Sequence, residues 1–339
     1  MANSKYLDEK KIDVENLLRF AISHSISDIH FKSGRPPVFR KGGTLFRDVN
    51  APTISEEDIL AAFSTVMQEY HKIIFKERNE IDLGYGIGGV GRLRINIFKQ
   101  RGTVSACVRV IPALIPTLEE LNLPKVLDKF SDEKRGMVLV TGAAGQGKST
   151  TLACIVDNIN KKHSSHIITI EDPIEYIIED RKSIVNQREV GIDTMSFQAG
   201  LRSALRQDPD VIVIGEMRDR ETIEIAMHAA ETGHLVFSTL HTIDAKETLN
   251  RILSVFRGEE KEAAKIQLSS ILKGVVSLRL LPKSDGKGRV PACEVLVNTP
   301  RVADLLRKGD KIDEITTAIA QGMTVYGMQT FDQSLMNLF

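Results

Sequence analysis

The run Gly142-Ala-Ala-Gly-Gln-Gly-Lys148-Ser149 carries the clearest chemistry in this sequence. Glycine lets successive backbone N–H groups turn toward one anion. Lys148 adds a cation long enough to reach the β- and γ-phosphates of a nucleotide, and Ser149 adds a hydroxyl suited to Mg²⁺. The spacing G-x-x-x-x-G-K-[ST] is that of a phosphate-binding loop, and its meaning depends on context: it must follow an apolar strand and open a helix. Met137–Thr141 is such a strand, and residues 148–162 have helical periodicity. ATP and Mg²⁺ are therefore the expected cofactors. Gly142, Ala143, Ala144, Gly145, Gln146, Gly147, Lys148, Ser149 and Thr150 are the expected contacts.

Two further runs end in carboxylates. Asp210-Val-Ile-Val-Ile-Gly-Glu216 is an apolar strand followed by an acid. Ligands of open α/β sheets bind at the carboxyl ends of strands, so Glu216 belongs beside the phosphate loop, holding Mg²⁺ in part through water. Ile170-Glu-Asp-Pro-Ile-Glu175 brings three carboxylates to another strand end. Hydrolysis needs one group to orient the attacking water. Glu175 is favoured for that task, with Glu171 as the alternative and Glu171 and Asp172 otherwise as capping residues. His241 closes the strand Leu235–Leu240 and is placed to sense phosphate. His234 opens the same strand, with a subunit boundary as its other destination.

The elements that must carry these residues alternate. Short apolar runs at 137–141, 166–170, 211–214 and 235–240 are separated by helical patterns at 148–162, 196–207 and 219–232. That order specifies an α/β domain with a parallel sheet buried on both faces. Residues 259–281 and 300–321 are expected to form a helical tail. Ahead of this domain, Asp13 caps a helix from Val14, and strands are expected at 27–31 and 38–40. A helix is expected over 55–70. A hairpin, 91–98 with 104–110, then alternates with period two. Its register puts Leu93, Ile95 and Ile97 on one face with Val104, Ala106, Val108 and Val110, and Arg92, Arg94 and Arg109 on the other, with Arg94 opposite Arg109. Like charges facing across a ladder repel, which fits either a solvated face or one that meets a polyanion. Pro112 and Pro116 mark a linker, giving domains at 1–112 and 118–339 joined by 113–117.

Composition narrows the classes. Lys plus Arg and Asp plus Glu both number 45, and Trp is absent, which argues against a nucleic-acid partner. The three cysteines, Cys107, Cys154 and Cys293, are scattered and read as reduced core thiols of a cytoplasmic protein. No apolar run is long enough to span a bilayer, and the polar start MANSKYLDEKK is unlike a signal peptide.

The stretch Leu201–Asp219, LRSALRQDPDVIVIGEMRD, resembles the signature of secretion and pilus ATPases, as do Glu171–Glu175 and Thr232-Gly-His-Leu-Val-Phe-Ser-Thr-Leu-His-Thr242. The pattern is most similar to that of the pilus-retraction, or twitching-motility, ATPases. Ser27–His30, Gly34–Pro37, Val185–Val190 and Gly327–Thr330 extend the resemblance over nearly the whole chain. It implies a PAS-like α+β N-terminal domain and a RecA-like ATPase domain with C-terminal helices from about residue 259. It also implies a homo-hexamer with nucleotide between the domains, docked at the inner membrane on a pilus platform protein. A paralogous retraction ATPase is a further partner that it suggests. Glu175 becomes the catalytic glutamate, Glu216 the Walker B acid, and His234 and His241 the histidine-box pair at the nucleotide. Arg92, Arg94 and Arg109 become arginines that close on the phosphates. The sequence departs from the family at Ala143, Ala144 and Gln146 of the loop, at Ser238, and at Ala303. The last replaces the central arginine of the stretch that reads Arg301-Val-Ala-Asp-Leu-Leu-Arg307 here. The four-cysteine insert of the assembly and secretion relatives is missing. An accessory retraction paralogue, an assembly or secretion ATPase and a nucleic-acid translocase are the competing readings.

Overall fold

The computed structural model describes residues 7–8, 11–47, 51–112, 114–286, 288–309 and 312–339. Residues 1–6 of the polar start and Ala113, where the linker was expected to begin, lie outside the described residues. The chain divides into two compact units, Met1–Leu114 with Glu175–Ile177, and Ile115–Ile174 with Ile178–Phe339.

In the first unit, β1 (Leu7–Asp8) and β2 (Lys11–Ile12) precede α1 (Val14–Ser23). Asp13 caps this helix by accepting from the Asn16 amide at 2.9 Å. β3 (Asp28–Lys32), β4 (Val38–Lys41) and β5 (Thr44–Arg47) follow, then α2 (Glu56–Ser64) and α3 (Glu69–Arg78). The single helix expected over 55–70 is thus two. The Thr65 hydroxyl bonds the Ala62 carbonyl at 2.6 Å where the first one stops. β6 (Glu80–Ile87), β7 (Gly91–Gln100) and β8 (Thr103–Pro112) complete an antiparallel sheet of order β5-β4-β3-β8-β7-β6. Leu93, Ile95, Ile97, Val104, Ala106, Val108 and Val110 are all buried, with Leu17, Leu18 and Phe63 of the helices in the same core. The alternation read from the sequence sets this face.

In the second unit, α4 (Val126–Phe130) and β9 (Gly136–Thr141) lead into α5 (Lys148–Lys162). β10 (His166–Glu171), β11 (Ile184–Glu189), α6 (Phe197–Ala204), β12 (Val211–Ile214), α7 (Arg220–Glu231), β13 (Leu235–Leu240), α8 (Ala245–Leu253) and α9 (Glu259–Ile271) follow. Then come β14 (Leu272–Pro282), β15 (Arg289–Val297), α10 (Pro300–Lys308), α11 (Ile315–Gln321), α12 (Met323–Tyr326) and α13 (Phe331–Leu338). The sheet order is β11-β10-β12-β13-β9-β14-β15, parallel throughout except for the β14–β15 hairpin. β9, β12 and β13 are buried at every position, as strands covered on both faces must be.

The helical tail expected over 259–281 is corrected here. Only Glu259–Ile271 is helical, and the following residues are a sheet strand. A short apolar run reads the same as a buried helix or a buried strand, and periodicity cannot separate them. Packing decides the matter at Gly274, where an added Cβ would lie 2.3 Å from the Phe130 ring and 2.8 Å from the Leu296 carbonyl. The ladder with β15 runs from Gly274–Val297 to Pro282–Arg289.

Candidate active site

The carboxyl ends of three adjacent strands converge. β9 opens into the loop 142–147, β12 into Gly215-Glu216, and β13 into His241. Gly147 caps α5 with φ 89°, a left-handed conformation that glycine adopts freely. Lys148, Ser149 and Thr150 therefore occupy the first turn of a fifteen-residue helix, whose leading N–H groups and positive dipole end attract an anion. Gly142 has φ 143°, and a Cβ there would meet the Leu278 carbonyl at 2.7 Å. Only glycine fits that close approach.

Lys148 is buried, and its ammonium donates to the carbonyls of Gly142 at 2.8 Å and Ala143 at 3.0 Å. His241 Nδ1 lies 3.4 Å from Lys148 Nζ, and His241 Nε2 lies 3.5 Å from Glu216 Oε2. An ammonium only donates, so Nδ1 accepts and the ring proton of a neutral imidazole sits on Nε2, facing the carboxylate. Glu216 is 12% exposed. Its Oε1 pairs with Arg218 at 2.6 Å, while its buried Oε2 makes no hydrogen bond among the described residues. The backbone under it is held by Thr239 Oγ1, which donates to the Gly215 carbonyl at 2.6 Å, and by the Gly215 amide, which donates to Ile170 at 2.8 Å. Ser238 Oγ donates to the Ile214 carbonyl at 2.9 Å. The serine that departs from the family pattern is thus buried and satisfied.

Glu171 is tied between strands, accepting from Thr169 Oγ1 at 2.6 Å and from Gln187 Nε2 at 3.1 Å. Glu175 is half-buried and follows Ile174, whose amide donates to the buried Glu189 at 3.1 Å. The structure does not bring His234 to this constellation. It pairs its backbone with Gly136 at the opposite end of β9, and its Nδ1 is 2.9 Å from the Ala229 carbonyl at the end of α7. A six-residue strand separates it from His241, roughly 20 Å at the usual strand rise. In the first unit, Arg94 pairs directly with Arg109 across β7–β8 and Arg92 lies opposite Ile111. Arg92 lies over Gly84, where a Cβ would collide with its guanidinium at 2.1 Å.

Two contributions escaped the sequence reading. Arg218 pairs with Glu216, a contact that a lone arginine in a loop does not announce. Leu278 and Leu280 of β14 border the phosphate loop, and their place was hidden by reading that segment as helix.

A glycine-rich loop between a buried parallel strand and a helix, with its lysine, a strand-end acid and a linking histidine, defines a P-loop ATPase. The chain belongs to the type II/IV secretion system protein family, whose model matches residues 117–330. It is 44% identical over 327 residues to the type IV pilus retraction ATPase PilT of Pseudomonas aeruginosa, covering 96% of this chain and 94% of that protein. It is 43% identical over 328 residues to the type IV pilus ATPase PilU of the same organism, covering 97% and 85%. The crystal structure of the pilus retraction motor PilT with bound ADP superposes with a TM-score of 0.87 at 44% identity, over 97% of this chain and 93% of that one.

Proposed function

We propose that this chain is the subunit of a hexameric, Mg²⁺-dependent ATPase motor that powers type IV pilus retraction by acting on a platform protein of the inner membrane. The observation that carries it is the Lys148–His241–Glu216 constellation at the carboxyl ends of β9, β12 and β13, in a chain this similar to a retraction motor. In this reading, backbone N–H groups of Gly142–Thr150 bind the phosphates and Lys148 supplies charge to them. The buried Oε2 of Glu216, 3.5 Å from His241 Nε2, suits the shell of a hydrated divalent cation, with Ser149 as a second oxygen donor. Mg²⁺ held there would neutralise charge on the triphosphate. Glu175 orients the attacking water, and Arg92, Arg94 and Arg109 stabilise transferred charge when the N-terminal domain, 1–112, closes on the ATPase domain, 118–339, about the linker 113–117. His234, anchored away from the loop of its own chain, serves at a subunit boundary. The motor works in the cytoplasm, peripherally docked. Among the described residues no helix is long and apolar enough to cross a membrane.

Two observations favour an accessory paralogue that works with a partner ring. The similarity to PilU nearly equals that to PilT, and Ala303 stands half-buried on α10 where the retraction pattern carries arginine. One experiment separates the two. Purified protein is assayed for Mg²⁺-dependent ATPase activity beside its oligomeric mass, and the gene is introduced into a strain lacking its own retraction ATPase. A hexamer that hydrolyses ATP and restores twitching alone supports the motor. Restoration only beside a second retraction ATPase supports the accessory role. Lack of ATPase activity overturns both.

A further inference from the structure

β9 ends at Thr141, where the chain leaves the sheet to form the phosphate loop, but β14 runs on to Pro282. The last ladder pair between them is Thr141 with Ser277. Beyond that pair, no strand among the described residues lies on the β9 side of β14. Leu278 still turns its carbonyl to that side, since it is the atom a Cβ at Gly142 would strike. Leu280, two residues further along a strand of period two, turns its N–H the same way. On the β15 side Leu280 is opposite Pro291, but its N–H points the other way, to where β9 has ended. The Leu280 amide therefore needs an acceptor from the loop. It finds one in Gln146 Oε1 at 2.5 Å. The Leu280 side chain lies over Gly147, where an added Cβ would be 3.7 Å from Cδ1. From β15, Arg289 Nη1 donates to the Gly145 carbonyl at 3.4 Å.

We infer that Gln146 is a latch: its side-chain carbonyl replaces the strand that β9 no longer supplies and fastens the phosphate loop to the β14–β15 hairpin. Gln146 is a positioning residue, because its side chain bonds the sheet edge rather than the phosphate. The inference rests on the assignment of this loop as the nucleotide site. A serine side chain at this position would be too short to reach Leu280. A loop freed from the latch must be ordered by the nucleotide itself, and that cost weakens binding.

The test uses the full-length protein, with ADP as the probe and Gln146→Ser and Gln146→Glu as variants. Amide hydrogen exchange is followed around Leu280 without nucleotide, and ADP affinity is measured by calorimetry. Gln146→Ser is expected to keep the nucleotide-free melting temperature and to exchange faster at Leu280 alone. It should bind ADP about tenfold more weakly, the worth of one well-placed hydrogen bond. Gln146→Glu keeps an acceptor of the same reach and should restore protection at Leu280. Unchanged exchange at Leu280, unchanged ADP affinity, or loosening of the whole of β14 in the serine variant would overturn the latch. A wild-type chain that bound no ADP would overturn the nucleotide-site assignment instead, and exchange at Leu280 would still decide the latch.

Discussion

Arg94 and Arg109 face each other across the β7–β8 ladder, yet each leans to a carboxylate on its outer side. Arg109 Nε is 3.1 Å from Asp28 Oδ1, and Arg94 Nε is 3.9 Å from Asp82 Oδ1. Arg40 approaches the same Asp28 at 3.8 Å. The repulsion expected from register alone is thus largely compensated by neighbouring strands. Removing Arg109 relieves a like-charge pair and loses an exposed ion pair, each worth under about 1 kcal/mol. Arg109→Ala should therefore shift the nucleotide-free melting temperature by no more than about 4 °C. With the proposed role, turnover should fall at least about tenfold, below the full worth of an arginine finger because three arginines share the task. The stabilisation by ATP and Mg²⁺ should shrink too. Thermal melts with and without nucleotide, beside steady-state hydrolysis, check this. Full activity and a full nucleotide shift in both Arg94→Ala and Arg109→Ala would leave that face merely solvated.

Lys148 and Glu216 should separate binding from metal dependence. Lys148→Ala removes the buried ammonium that braces Gly142 and Ala143, so ADP affinity should drop by about a hundredfold or more. Glu216→Gln keeps the shape but not the charge. It should retain nucleotide and need more Mg²⁺ for half-maximal turnover. A magnesium titration identical to wild type would remove Glu216 from the metal shell.

For Glu175, the isosteric change is decisive. Glu175→Gln should bind ATP as wild type does and turn over about a hundredfold more slowly, in the range of a positioned acid–base group. Near-normal hydrolysis would point back to another carboxylate. Glu171, already engaged by Thr169 and Gln187, is then a poor substitute, because reorienting it would break both bonds.

Glu294 gives a pH signature. It is buried on β15 and accepts from the Ala245 amide at 2.8 Å, at the start of α8. Burial pushes its carboxyl above the usual 4.5, with Asp244 adding to the rise and Arg279 opposing it. Between 4.5 and the raised value the folded chain keeps a proton that the unfolded chain has released. Stability from this group is therefore lost as pH rises through that window and stays lower above it. Glu294→Gln, which still offers an oxygen to Ala245, should melt higher than wild type at about pH 8, with the gap closing toward acid. Melting curves across pH measure it. A gap that is constant with pH would show that ionisation of Glu294 is not what costs stability.

Much of this protein was legible in the residues themselves. The phosphate loop, the strand-end acid at Glu216 and the closing histidine at 241 announce themselves because each sits at a junction that local pattern reveals, an apolar run followed by glycine or a charge. The hairpin register was equally legible, since a period of two leaves only one way to bury Leu93, Ile95 and Ile97 together. Tertiary structure decided what local pattern leaves degenerate. Leu272–Pro282 is apolar enough to be helix or strand, and only its neighbours, Phe130 against Gly274 and β9 and β15 on either edge, make it a strand. His234 and His241 look equivalent in sequence, yet a parallel strand carries its two ends to opposite edges of the sheet, so only His241 meets Lys148 and Glu216. The partner of Gln146 lies 134 residues away, on a strand that the loop reaches only because the β9 ladder stops at Ser277, short of Leu280. Such long-range contacts follow from sheet order, which the residues of either segment do not carry alone.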